Sequence, residues 1–137
     1  SRIGLITPEK VHLIGVKGMV LGDILLTHGH TFPSEFRSNI NKIVMGHIHP
    51  TFFRENSVLN GQKIWIFLKV KKESLFPSTK GSLDLILLPS FNKYIYGNGR
   101  VKNRKINSPI LKKILRKESI DRCLIVSNKN QCYFLST

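Results

Sequence analysis

Acidic residues are scarce in this chain of 137 residues, which has 8 Asp and Glu against 22 Lys and Arg and a formal net charge of +14. A field of that sign attracts polyanions and makes their binding dependent on salt. Ile, Lys and Asn are abundant throughout the sequence, so part of the excess follows from composition alone. The charge therefore permits a nucleic-acid site without defining one.

Long apolar runs are also absent. No stretch approaches the roughly 20 residues that a membrane helix needs, and the longest runs, residues 64–68 and 83–88, have the length of strands. The first residues show neither the charged start nor the apolar core of a signal peptide. We therefore expect a single domain over residues 1–137, located in the cytoplasm and without a membrane association.

Cysteine occurs only twice, at Cys123 and Cys132. If the turn between them pairs residue 126 with residue 131, Cys123 faces Phe134 rather than Cys132. We therefore interpret both as free thiols, as fits a reducing compartment.

Apolar runs separated by turn signals predict a fold made mostly of strands. A short helix is expected over residues 33–40. A second, basic helix is expected where Ser108 can act as an N-cap and Pro109 can begin the first turn. The alternation of strands and helices indicates an α/β unit, in which sites collect at the carboxyl ends of strands. The predicted strands are residues 3–6, 11–14, 19–21, 24–26, 43–45, 63–70, 83–88, 122–126 and 131–135.

Four of the five histidines lie in two short motifs, Thr-His-Gly-His at 27–30 and Gly-His-Ile-His-Pro at 46–50, and each motif follows an apolar strand. In an extended segment His47 and His49 would point the same way, about 6.5–7 Å apart. Each could then bind one ion of a pair about 3.5–4 Å apart. Neutral imidazole suits Mn, Fe, Co, Ni or Zn. Two such motifs favour metal ligation by His28, His47 and His49 over chance, while His30 either orients a ligand or the substrate or is structural.

The fifth histidine, His12, has no partner motif. We expect it to be a solvent-facing strand residue.

These motifs resemble the last two motifs of the calcineurin-like metallophosphoesterases, in particular the small archaeal and bacterial enzymes that include the DNA-ligase-associated kind. Leu-Pro-Ser-Phe-Asn at 88–92 and Ser-Pro-Ile-Leu at 108–111 resemble two later segments of that subgroup. The resemblance implies a β-sandwich with flanking helices. It also implies two divalent metals, chosen among Mn, Ni, Zn, Fe and Co and bridged by an Asp, that clamp a phosphate-ester substrate for hydrolysis. On this basis His28 and His47 would bind one metal and His49 the other.

The first three motifs of that family, Asp-x-His, Gly-Asp-x-x-Asp and Gly-Asn-His, are missing from the sequence. After Gly22-Asp23, Leu26 stands where the second Asp belongs, and Gly97-Asn98 is followed by Gly. The chain therefore resembles the C-terminal half of such an enzyme. We expect a mostly β-sheet α/β fold, equivalent to half of the sandwich, that holds one metal or none and is inactive alone. An N-terminal half or a DNA-ligase-type partner would then supply the missing ligands.

Two other interpretations remain open. The chain could be a non-catalytic basic module for nucleic acid or other polyanions, although a merely solvated face is the plainer view of its cations. It could also be a relic that folds and forms a homo-oligomer over an exposed sheet. A single metal held by three His is a variant of the enzyme hypothesis. The cations form a run without an acid among them: Arg100, Lys102, Arg104, Lys105, Lys112, Lys113, Arg116 and Lys117.

Overall fold

The computed structural model describes residues 12–32, 39–92, 107–116 and 118–127, and the backbone of 132–135. A 3-10 turn, Lys72–Ser74, follows the fourth strand, and helix α1, Pro109–Arg116, precedes the sixth. The strands are β1 Met19–Leu21, β2 Ile24–Thr27, β3 Lys42–Met45, β4 Ile64–Lys71, β5 Ser82–Leu87, β6 Ile120–Ser127 and β7 Cys132–Leu135.

In the described part of the chain these strands form one open, mixed sheet in the order β1-β2-β3-β5-β4-β6-β7. Strands β2, β3 and β5 run parallel to one another, and the remaining neighbours pair antiparallel. The three parallel strands therefore end at the same edge of the sheet, called here the carboxyl edge. This sheet-rich architecture with a helix confirms the α/β class.

The core lies where α1 covers the centre of the sheet. Burial alternates along β5, with Leu83, Leu85 and Leu87 buried, as expected of a strand with one face against a core. Ile110 and Ile114 of α1 are fully buried, four residues apart on one helical face. Burying each such side chain stabilises the fold by roughly 1.5–3 kcal/mol, so the apolar spacing fixes where α1 docks.

The N-terminus of α1 follows the predicted capping pattern. Ser108 is fully buried, and its Oγ accepts a hydrogen bond from the backbone N–H of Leu111 at 3.5 Å. Its carbonyl oxygen accepts the N–H of Lys112 at 3.0 Å, and Pro109 is the first helical residue. Both expectations for this helix start are therefore confirmed.

Seven of the predicted strands, those from residue 19 onward, are confirmed to within two residues at each end. The strand predicted over 11–14 is wrong: residues 12–14 are exposed, and no strand in the described residues pairs with them. His12 is exposed, as predicted, but it lies outside any strand. The strand over 3–6 and most of the helix over 33–40 fall outside the described residues, and Asn39 and Ile40 are not helical.

The closing hairpin is confirmed, but its register differs by one residue from the prediction. Val126 pairs with Cys132, so Cys123 faces Leu135 rather than Phe134. The two cysteines are still not opposite each other, and Cys123 is a free, half-buried thiol.

No helix among the described residues is both long enough and apolar enough to cross a membrane. At one side of the sheet β1 pairs only with β2 in the described region, and its Val20 and Leu21 are exposed. Such an edge is open to further strand pairing. A homo-oligomer therefore stays a prediction.

Candidate metal centre

The two histidine motifs are brought together by the pairing of β2 with β3. These strands are parallel neighbours, and their last residues, Thr27 and Met45, are in register. His28 directly follows β2, and Gly46 and His47 directly follow β3. Strand β5 ends beside them, because the N–H of Leu88 donates to the carbonyl oxygen of Met45 at 2.8 Å. Both motifs therefore lie at the carboxyl edge, as predicted.

His28 and His47 are in direct contact. Nε2 of His28 lies 3.1 Å from Nδ1 of His47, and one of these nitrogens donates its proton to the other. The ring centroids are 4.9 Å apart and the ring planes are inclined by 67°. This pair joins the two motifs across 19 residues of sequence.

His30 completes a cluster of three rings. Its centroid lies 5.0 Å from that of His28 and 5.9 Å from that of His47. Among the described residues, the ring of His49 does not contact these three rings. Its Nδ1 is buried without a hydrogen-bond partner. The histidine cluster is therefore His28, His30 and His47, with His49 beside it.

Gly29 is the residue that allows His28 and His30 to turn toward each other. Its φ of 96° is in the region that disfavours L side chains. It is also buried, and a Cβ atom at this position would overlap the terminal methyl group of Met45. The Gly between the first two histidines is therefore required both by backbone conformation and by space.

The second motif does not adopt the predicted extended conformation. His47 and His49 have φ values of 62° and 50°, and the N–H of Ile48 donates to the carbonyl oxygen of Gly46 at 2.7 Å, which closes a tight turn. Left-handed backbone at a residue other than Gly costs roughly 1–3 kcal/mol and occurs often at functional sites. The motif was expected to be extended because it follows a strand. In the structure Ile48 packs against the core, and the chain turns at the residues on either side of it.

Gly46 is not the residue that takes the left-handed conformation. A Cβ atom at Gly46 would lie 3.9 Å from Nδ1 of His28, which is an ordinary contact distance. The positive φ at the start of this turn is therefore taken by His47.

The surroundings of His47 favour its neutral form, because they lower its pKa. Burial lowers the pKa of His47 below its usual value, and repulsion from His28, His30 and then His49 lowers it further. Among the described residues, no acid contributes to that shift. Neutral imidazole is the form that binds metals, so the pKa shift of His47 favours metal ligation.

Two described acids, Asp23 and Asp84, make polar contacts, and both do so away from the histidine cluster. Asp23 lies at the opposite end of β2, where its carboxylate accepts a hydrogen bond from the Asn41 amide at 3.3 Å. Asp84 forms an ion pair with Lys69 at 3.4 Å. Neither Asp23 nor Asp84, the two described acids with a polar side-chain contact, contacts the histidine cluster.

The histidine pair fits a metal ion better than the cluster as a whole does. Two imidazole nitrogens that bind one ion at about 2.0–2.1 Å lie roughly 3 Å apart, and the observed separation is 3.1 Å. Among the described residues, however, no group of three or more His, Cys, Asp or Glu side chains is arranged to hold a metal. The described chain thus presents two ligands suited to one ion, and the uncommitted Nδ1 of His49 is a third candidate.

The predicted basic run is only partly within the described residues. Lys112, Lys113 and Arg116 lie on α1 and are exposed. Nζ of Lys113 lies 4.0 Å from the centre of the Phe32 ring. Sequence reasoning missed this contact, because no local pattern connects residue 32 with residue 113. The remaining members, Arg100, Lys102, Arg104, Lys105 and Lys117, fall outside the described residues.

No protein-family model matches this chain, and neither a curated protein nor a solved structure matches it. The family resemblance therefore depends on the motifs in the sequence.

Proposed function

We propose that this chain is the histidine-bearing part of a metal-dependent phosphoesterase. The observation that carries the proposal is the contact of 3.1 Å between Nε2 of His28 and Nδ1 of His47. The resemblance to the metallophosphoesterases assigns these two residues to one metal, and that assignment requires their nitrogens to lie at this kind of distance. His49 is assigned to a second metal.

The chain's own residues have limited but definite roles in such a centre. His28 and His47 bind an ion through ring nitrogens that lie 3.1 Å apart, and Gly29 and the turn at residues 46–48 hold the rings in place. The basic field of the chain attracts a phosphate ester. A divalent metal would supply Lewis-acid activation of the phosphate. His30 lies within the cluster, where it can orient a ligand or the substrate.

Two dications held close together by imidazoles alone would repel each other, so the centre needs carboxylates. We propose that a segment bearing Asp-x-His and Gly-Asn-His motifs supplies them, and that the described sheet is one layer of a β-sandwich completed by that segment. The chain by itself would then bind a single ion and would be inactive. An N-terminal half or a DNA-ligase-type partner is the proposed source.

A Co²⁺ titration followed by visible absorption tests the metal site. We expect one equivalent to bind with histidine ligation. His28→Ala and His47→Ala should each weaken binding by more than the roughly 10–100-fold that follows from losing a residue that only supports a ligand. His12→Ala is the matched control, because His12 is exposed and outside the cluster.

The phosphate step has its own readout. Inorganic phosphate should change the absorption of the Co²⁺-loaded chain and should not change that of free Co²⁺ in the same buffer. Equal Co²⁺ affinity in wild type, His47→Ala and His12→Ala would refute the metal assignment. Binding of Co²⁺ without any response to phosphate would refute the phosphoesterase assignment.

The alternative function, a non-catalytic module for polyanions, is favoured by the exposed cations of α1. Of these cations, Lys113 lies over the Phe32 ring, two residues beyond His30.

A further inference from the structure

The outer edge of β1 is apolar and open in the described part of the chain, where β1 pairs only with β2 and ends the sheet. Val20 is 45% exposed and Leu21 is 52% exposed. Neither a charged residue nor Pro interrupts the strand, although these are common means of keeping an edge strand from pairing with another chain. The edge therefore offers a partner strand both backbone groups and apolar side chains.

The exposed apolar surface continues into the segment before β1. Leu13, Ile14 and Val16 are each more than half exposed. The end of this segment is held against the loop after β2, because Oγ1 of Thr31 donates to the carbonyl oxygen of Val16 at 3.1 Å. A concentration of exposed aliphatic side chains in one short stretch is typical of an interaction surface.

The hairpin of β1 and β2 determines which backbone groups point outward. Leu21 and Ile24 are paired on either side of the two-residue turn Gly22-Asp23, and the pair that flanks such a turn is hydrogen-bonded. Hydrogen-bonded and non-hydrogen-bonded pairs alternate along an antiparallel ladder. The next pair, Val20 with Leu25, is therefore not hydrogen-bonded, so the N–H and the carbonyl oxygen of Val20 point away from β2.

Two glycines restrict the register that a partner strand can take on this edge. Gly18 and Gly22 have φ values of 79° and 61°, outside the β region, so only the residues between them can join a ladder. Of these, only Val20 directs both backbone groups outward. When two copies of β1 pair antiparallel, Val20 must therefore lie opposite the partner's Val20, and Met19 lies opposite the partner's Leu21.

The charges next to β1 agree with this register. Lys17 lies in the turn before β1, which is closed by the N–H of Gly18 donating to the carbonyl oxygen of Gly15 at 3.0 Å. The register brings this turn next to the turn that carries the partner's Asp23, and two-fold symmetry repeats the contact. Lys17 and Asp23 are both exposed. Opposite charges thus meet at both ends of the ladder, which makes the edge complementary to itself.

We propose that β1 pairs antiparallel with β1 of a second copy of this chain, so that two seven-stranded sheets become one continuous sheet. The opposed Val20 side chains lie on the same face, so the two-fold axis is perpendicular to the sheet. The carboxyl edges of the two copies, with their histidine clusters, then face in opposite directions. The dimer goes beyond the proposed function and does not depend on it.

Disulfide trapping tests the register, in a background without the natural thiols (Cys123→Ala, Cys132→Ala). Residues opposed in a hydrogen-bonded pair have Cα atoms about 5.5 Å apart, within the reach of a disulfide. Val20→Cys should therefore form a disulfide-linked dimer on mild oxidation. Leu21→Cys is the matched control, because the two copies of residue 21 would lie about 8 Å apart and should not be bridged. Chains with Met19→Cys should instead link to chains with Leu21→Cys.

The outcome of the trapping is read on a non-reducing gel. Equal linking of Val20→Cys and Leu21→Cys would overturn the proposal, because the linking would then reflect exposure alone. Failure of Val20→Cys to link would overturn it as well.

Sedimentation velocity of the chain with its natural cysteines gives a second, independent test. The wild type should show a monomer–dimer equilibrium. Lys17→Glu and Asp23→Lys each place like charges at both turn contacts, and each should weaken the dimer about tenfold. An equimolar mixture of the two variants should restore it, because both contacts of the mixed dimer again join opposite charges.

Lys80→Glu is the matched control for net charge. Lys80 is exposed and lies just before β5, three strands away from β1 in the sheet, so this variant should dimerise as the wild type does. A wild type that is monomeric at every concentration, or a mixture that associates no better than either variant alone, would overturn the proposal. Because neither test uses a metal, a failure here is separable from a failure of Co²⁺ binding.

Discussion

Substituting Gly29 by Ala is a sharp test of how the first histidine motif is built. Two separate penalties follow from the structure. The φ of 96° is unfavourable for any L side chain, at roughly 1–2 kcal/mol. The new methyl group would also overlap the end of the Met45 side chain, which is fully buried.

The second penalty is the cost of overpacking, typically about 1–3 kcal/mol. The value should fall near the lower end, because the overlapped atom is the terminal methyl of a flexible side chain. The sum is about 2–4 kcal/mol, a large share of the 5–15 kcal/mol that separates folded from unfolded states in most domains.

Gly22→Ala is the matched control. Gly22 also has a positive φ, 61°, but nothing lies within 4 Å of a Cβ built there. This variant should lose only the conformational part of the free energy of unfolding, about 1–2 kcal/mol. The difference between the two variants therefore measures the overlap with Met45.

Urea unfolding followed by Trp65 fluorescence gives both free energies of unfolding, provided that the m-values of the variants agree. Gly29→Ala should also weaken Co²⁺ binding, because it displaces His28 and His30, whereas Gly22→Ala should not. If Gly29→Ala were no more destabilising than Gly22→Ala, the packing of Gly29 against Met45 would be refuted.

Two further predictions concern α1 and β6. Ser108→Ala removes the N-cap of α1 and should lower the free energy of unfolding by about 0.5–1 kcal/mol, near the low end for such caps because the hydrogen bond is long, at 3.5 Å; an unchanged urea midpoint would contradict the cap. Burial raises the pKa of the Cys123 thiol, so at pH 7.5 iodoacetamide should alkylate it in a Cys132→Ser variant more slowly than it alkylates glutathione, and urea should remove the difference. Because the folded thiol retains its proton to higher pH than the unfolded thiol, stability should fall as the pH rises above about 9; a thiol that reacts at the same rate in folded and unfolded protein would contradict both expectations.

The strands were predictable because their side chains repeat at the right interval. β4 and β5 are runs of Ile, Leu, Val and Phe bounded by polar turns, and the hairpin of β1 and β2 has Gly22-Asp23 at its turn. The order of the sheet was not predictable. β5 lies between β3 and β4, which depends on packing among segments that are distant in the sequence.

The location of the candidate site could also be predicted, since both motifs follow parallel strands. The geometry within the site could not be predicted. The left-handed backbone of His47 and His49 is imposed by tertiary context, and local sequence favoured an extended segment. The place of His30 within the cluster depends on the turn at Gly29 and on the contact with Met45, neither of which has a signal in the spacing of the histidines.

The central claim is that His28 and His47 bind the same metal ion through Nε2 and Nδ1, respectively. The most direct measurement is NMR of the chain with ¹⁵N-labelled histidine, loaded with ¹¹³Cd²⁺. The account predicts that a single ¹¹³Cd resonance couples to Nε2 of His28 and to Nδ1 of His47, and that His47→Ala removes both couplings or leaves only that of His28. Coupling to neither nitrogen, or coupling of the two histidines to different ¹¹³Cd resonances, would contradict it.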